Sequence, residues 1–222
     1  AGSALITANG NVGSIKIGID LIGGTASSSA RITAEGAVGS IVIGGSIIAD
    51  GFNAADGSAR IFVGDGIRQL KIGKDLVGGL GSGSGAVTSE GAIGSIFVGG
   101  TIFGGAGDFS GRLAADQGTG TVKVLGSILG GSGQDSGGFV TTTARSISIG
   151  GSIMGNSGPR SGSLSLGDTG SIKVGGSVIG GSADEAGMVS FGAGKSVSIG
   201  GSIEGGSSLN TGRVVGSSAK SL

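Results

Sequence analysis

Few residues in this chain are equipped for chemistry. It has no His, Cys, Tyr or Trp among 222 residues, so the commonest general base, the thiol nucleophile and the usual sugar-stacking aromatics are missing. Carboxylates remain. Glu35 and Glu90 occupy one site in alternate copies of a repeat, with Asp65 near that site in the intervening copy and Asp116 in the copy after Glu90. Such a pair could serve as acid and base on a glycosidic bond, but the preferred reading is that they are solvated loop charges. Asp56, Asp108, Asp135, Asp184 and Glu185 fall in Gly-rich loops that could hold calcium. Gly130–Ser136 fits the start of a calcium-binding nonapeptide, yet Gly137 stands where a large apolar residue belongs and no tandem copy follows. Gly194-Lys195-Ser196 imitates the end of a phosphate-binding loop, but Val189 replaces the required glycine and a strand follows, so it is read as a corner. The expectation is no cofactor and no catalysis, with calcium as the alternative ligand.

Composition narrows the remaining classes. Lys plus Arg and Asp plus Glu number 14 each, so no net field favours nucleic acid. No apolar run approaches the roughly 20 residues of a membrane helix, and insertion in a membrane is not expected. The absence of Cys rules out disulfides and leaves the redox compartment open. The sequence opens on Ala1 with neither Met nor a signal-like segment, which reads as a processed product or an excised fragment. Glycine accounts for 56 residues, but a mean hydropathy of +0.39 is too apolar for a solvated coil. Those glycines are periodic.

The stretch Gly39-Ser40-Ile41-Val42-Ile43-Gly44-Gly45-Ser46-Ile47-Ile48, a short strand, a corner and a second strand, returns along the whole chain. Its first apolar residue falls at Ile15, Ile41, Leu70, Ile96, Val122, Ile147, Ile172 and Val197, eight copies at steps of 25 or 26 residues with one of 29. This is the organising strand. A short strand follows the corner, and a third strand follows a polar loop, centred on Ile6, Ile32, Ile61, Val87, Leu113, Phe139, Leu164, Val189 and Val214. No copy can bury its apolar faces alone, whereas stacked copies can. The expected fold is therefore an all-β parallel β-helix of three short strands per coil, with about eight coils stacked about 4.8 Å apart in three parallel sheets.

Two columns agree with stacking. Ser14, Ser40, Gln69, Ser95, Thr121, Ser146, Ser171 and Ser196 form an outward polar row. Between the core positions, Lys16, Lys71, Lys123 and Lys173 alternate with Val42, Phe97, Ser148 and Ser198. Alternation keeps like charges nearly 10 Å apart, about a Debye length, rather than one strand spacing.

The ends and one flank offer interaction surfaces. Residues 1–222 read as a single solenoid domain cut within a repeat at both ends, with no cap to cover the open edges. Leu5, Ile6, Val214, Val215 and Leu222 are the candidate end-to-end interface. If the first residue of each short strand points inward, then Ile22, Ile48, Val77, Phe103, Leu129, Met154 and Ile179 point the other way, with Glu204 last. Exposed, that ladder is a candidate lateral interface together with Val42 and Phe97; in a tight arc, both residues of each pair would be inside.

Through motifs such as Gly170-Ser171-Ile172-Lys173-Val174-Gly175-Gly176-Ser177-Val178-Ile179-Gly180-Gly181, the chain resembles the Gly-rich β-solenoid arrays of large bacterial surface and secreted proteins, of the autotransporter-passenger or repeat-adhesin type. The resemblance implies an extracellular or cell-surface setting. It also implies a right-handed helix, as the bias of parallel crossovers does. The function expected is non-catalytic, a rigid stalk segment or the protomer of a filament that stacks end to end on copies of itself. The alternative is a β-helix that binds or cleaves polysaccharide, or an adhesin passenger holding a surface ligand. Coil steps differ by four residues at most, leaving little room for insertions that would wall a cleft.

Overall fold

The computed structural model describes residues 4–49 and 55–221, and every regular element among them is a β-strand. Each coil runs third strand, organising strand, short strand, loop, as in Arg31–Ala34, Val38–Ile43 and Ile47–Ile48. All pairing is parallel and joins equivalent residues of successive coils, so Ile15, Ile41 and Leu70 stack, as do Leu21, Ile47 and Leu76. The chain is a parallel β-solenoid of about eight turns.

Hydrogen bonding gives two sheets rather than the three expected. The short strands form an eight-stranded sheet, and the third and organising strands share one of 14 strands. The join lies in the last coils, where both strands merge into 11-residue elements at Phe139–Ile149, Leu164–Val174 and Val189–Ile199. The cause is one residue. From Leu113 to Val122 the chain takes nine residues, but from Phe139 to Ile147 it takes eight. Register places the loss at the bend, since Ala115 pairs with Thr141 while Thr119 pairs with Ala144. In the longer bend Gly118 adopts a φ of 99° that a side chain would resist. Removing a residue there lets the strand run through. Gly194-Lys195-Ser196, expected as a corner, accordingly sits inside a strand.

The interior is built of like-on-like columns. Ile32, Ile61, Val87, Leu113, Phe139, Leu164 and Val189 are all buried on one side, facing Ile41, Leu70, Ile96 and their successors on another. Full burial of such side chains stabilises by roughly 1.5–3 kcal/mol each before chain entropy is charged against it.

A polar ladder closes the corner between the organising and short strands. The Ser46 N–H donates to the Asp20 carboxylate at 2.6 Å, the Asp75 N–H to Ser46 Oγ at 3.2 Å, and the Thr101 N–H to Asp75 at 2.8 Å. The pattern continues through Ser127, Ser152 and Ser177 to the Ser202 N–H, at 3.0 to 3.2 Å. This explains the Gly-Gly-Ser motif. A Cβ on Gly176 would lie 2.3 Å from Ser152 Oγ, so the residue before each ladder serine must leave room for the oxygen below. Lys74 breaks the rule where the ladder bond is longest, a distance that Thr101 to Ser127 shares.

Candidate functional site

The loop after each short strand is a tight turn with two left-handed residues flanking a buried one. In the fifth loop these are Asp135 and Gly137, at φ of 53° and 59°, around Ser136. Ser136 Oγ accepts the Gly131 N–H at 3.0 Å and donates to the Gly133 carbonyl at 2.7 Å. Ser29, Ser84, Ser110, Ser161 and Thr211 accept the equivalent N–H five residues earlier. Neither these hydroxyls nor the corner ladder stands out in the sequence, because a serine among glycines reads as loop. Their recurrent spacing, in most coils five residues after a glycine or just after Gly-Gly, is the signal in the sequence.

The loop acids bind protein rather than forming a cluster. Asp56 accepts the Ser82 N–H and Asp108 the Gln134 N–H, each at 2.8 Å from the next coil. Asp135 takes two bonds from Arg160 one coil on, at 2.8 and 2.7 Å. Burial pushes the Asp135 carboxyl up, but hydrogen bonds from Arg160 and Gln134 and the charges of Arg160 and Arg112 outweigh it and hold the group below the usual carboxylate range. Asp184 lies 3.5 Å from Asn210 Nδ2, and Glu185 is the left-handed residue of its loop. Glu35, Asp65, Glu90 and Asp116 are exposed along the bend, with Glu90 and Asp116 on adjacent coils. Among the described residues no three His, Cys, Asp or Glu side chains gather as a metal set.

The short strands turn their second residues outward rather than curling them inside. Leu21, Ile47, Leu76, Ile102, Ile128, Ile153 and Val178 are buried. Ile22, Phe103 and Met154 are exposed, and Ile48, Val77, Leu129 and Ile179 are half-buried, forming one apolar file that ends at exposed Glu204. Val42 and Phe97 stand half-buried on the organising-strand face, between the lysines of neighbouring coils. Lys71 Nζ lies 5.9 Å from the Phe97 ring, a distance at which the charge is attracted to the ring face.

At the ends the core columns run open. Ile32 is 0% exposed but Ile6, below it in the same column, is 40% exposed; Ile153 is 0% exposed but Ile203 is 54% exposed. Leu5 and Val215 are exposed beside those columns and Val214 is half-buried. Val197, Ile199, Ile203 and Val214 line a space of about 700 Å³ at the last coil. Leu222 lies outside the described residues. No helix of the described chain is long and apolar enough to cross a membrane.

No protein-family model, no curated protein and no solved structure matches this chain.

Proposed function

We propose that the chain is a structural segment, a stiff rod that continues from its open coils onto further coils of the same kind. The observation that carries this reading is the exposure of core columns at both ends, since Ile6 and Ile203 belong to files that are fully covered one or two coils away. The partner is a second copy, or more of a longer array, stacked in register. Side-by-side association of rods is assigned to the outward file from Ile22 to Ile179. The setting is extracellular or at a bacterial cell surface, as the repeat style suggests.

The test is sedimentation velocity over a concentration series of the 222-residue chain, with negative-stain imaging. Stacking predicts rods whose length grows with concentration at constant width, and an Ile203→Lys variant that stays short. Met154→Glu should thin any bundles without shortening the rods. Discrete rods of one coil-stack length at every concentration would overturn self-stacking.

A further inference from the structure

The outer face of the large sheet carries a cleft that the structural role does not use. Arg60 and Arg112 immediately precede third strands two coils apart, with Ala86 at the same register between them. Two strand spacings separate their backbones by about 10 Å. Because Ala86 is small, a space of about 330 Å³ opens there, with Thr88 and Ala114 also lining it. Phe109, Ser82, Gly83 and Asp116 complete it.

Both arginines are held without a carboxylate. The Arg60 guanidinium sits 5.8 Å from the Phe62 ring and that of Arg112 sits 5.2 Å from the Phe109 ring. Neither forms an ion pair among the described residues, and the Nε of each is buried with no hydrogen-bond partner there. Burial pushes both guanidinium pKa values down, with Arg31 adding to the effect at Arg60. At Arg112 the charges of Asp135 and Asp116 oppose the shift and that of Arg160 adds to it. A buried N–H donor without a partner is costly, and a ligand oxygen would satisfy it. Two coils beyond Arg112, Arg160 has its two-bonded carboxylate in Asp135.

Phe109 makes the second, independent point. It occupies the left-handed position of its loop at φ 57°, which glycine holds in the two preceding described coils and Ser28, Asp135, Arg160, Glu185 and Asn210 hold in others. That conformation recurs in every loop, so what distinguishes this one is the aromatic ring it sets beside Arg112, a flat apolar wall to the cleft. Phe109 remains exposed at the cleft.

We propose that this cleft binds the oxyanion of a small ligand, a carboxylate, sulfate or phosphate group received by Arg60 and Arg112 over the Ala86 notch. Guanidinium groups bind such oxyanions through paired, charge-assisted hydrogen bonds. Thr88 and Ser82 offer hydroxyls beside the anion. Asp116 stands at the edge as an acceptor for a ligand hydroxyl.

The test titrates the 222-residue chain with sodium sulfate, sodium phosphate and sodium glucuronate against sodium chloride at matched ionic strength. Binding is read by calorimetry and by the NMR signals of the arginine Nε–H groups. Saturable binding should shift Arg60 and Arg112 signals, and Arg60→Gln or Arg112→Gln should weaken it about tenfold, the loss of one charged hydrogen bond. Arg145→Gln, on the exposed bend, should leave it unchanged. Ala86→Glu supplies a carboxylate from within, so it should abolish binding and raise the melting temperature with all arginines kept. Glucuronate alone binding identifies an acidic sugar as the source, and equal binding of the three a free anion. No saturable binding by any of them, or equal weakening by Arg145→Gln, overturns the proposal.

Discussion

Coils that turn from third to organising strand in nine residues and coils that turn in eight stack without a break, yet they fill the bend differently. In the early coils the first inward residue across the bend is mostly large, as in Val38 opposite Ala34, Ile67 opposite Val63 and Ile93 opposite Ser89, but in the fifth coil it is Thr119 opposite Ala115. In the late coils bulk moves across in steps: Thr141 stands across from Ala144, and then Leu166 and Phe191 stand across from Thr169 and Gly194. Closing the bend by one residue brings the two strands into line and removes room on the organising side, so bulk moves to the other. Gly216 shows how tight the exchange is, since a Cβ there would lie 2.1 Å from the Phe191 ring. A solenoid therefore tolerates a changed coil length where a pair of facing columns can trade volume at constant packing.

The comparison can be broken most forcefully at Phe191. Phe191→Ala removes the side chain that fills the shortened bend and should cost about 3–5 kcal/mol in a urea titration. A loss under about 1 kcal/mol, within surface-substitution scatter doubled, would mean that the late bends close without the volume trade. The corner ladder contrasts two coils at one position. Gly176→Ala forces a methyl against Ser152 Oγ and should cost about 1–3 kcal/mol. Lys74→Ala, where a Cβ is already accommodated, should change stability by less than about 0.5 kcal/mol.

The loops differ between halves as well. Early left-handed positions hold Gly57 and Gly83; later ones hold Asp135, Arg160 and Glu185, whose charges alternate up the column. Because the folded Asp135 pKa is depressed, its contribution is fully present above the ordinary aspartate value of about 3.9 and is lost as pH falls through the lower folded value. Arg160 is partly exposed, so the amount is at most about 1 kcal/mol. The stability difference between wild type and Asp135→Asn, followed by denaturation from pH 7 downward, should be constant to about pH 4 and then shrink. Smallest of all should be deletion of exposed Gln117, which converts the fifth bend to the eight-residue form. Its expected cost is within about 0.5 kcal/mol, with amide exchange showing a strand continuous from Leu113.

Much of this was legible in the residues. The spacing of Ile15, Ile41 and Leu70 sets the coils, because an inward β-branched or aliphatic residue must meet its own kind on the next turn. Lysine alternation along Lys16, Val42, Lys71 and Phe97 has the register expected. The two-sheet arrangement was hidden because three segments per copy look alike whether or not a strand crosses the bend; the drop from nine to eight was the sign. The outward turn of Ile22 and Phe103 was undecidable from alternation, since two residues set no period. The arginine cleft was least legible. Arg60 and Arg112 lie 52 positions apart, and their shared face depends on register and on the small residue between them.

The corner ladder also has a direction. Every side-chain oxygen in it, from Asp20 to Ser177, receives the N–H of the coil above and never of the coil below. The rod is thus a vector, with an acceptor side chain on Ser202 at one extremity and the Asp20 backbone at the other. Two copies meeting through like ends would set hydroxyl against hydroxyl at one end or N–H against N–H at the other, and neither pairing continues the ladder. Under the stacking proposed above, a head-to-tail contact would set the Ser202 hydroxyl against the Asp20 N–H and continue the ladder, and repeated without closure it would give a polar filament rather than a symmetric particle.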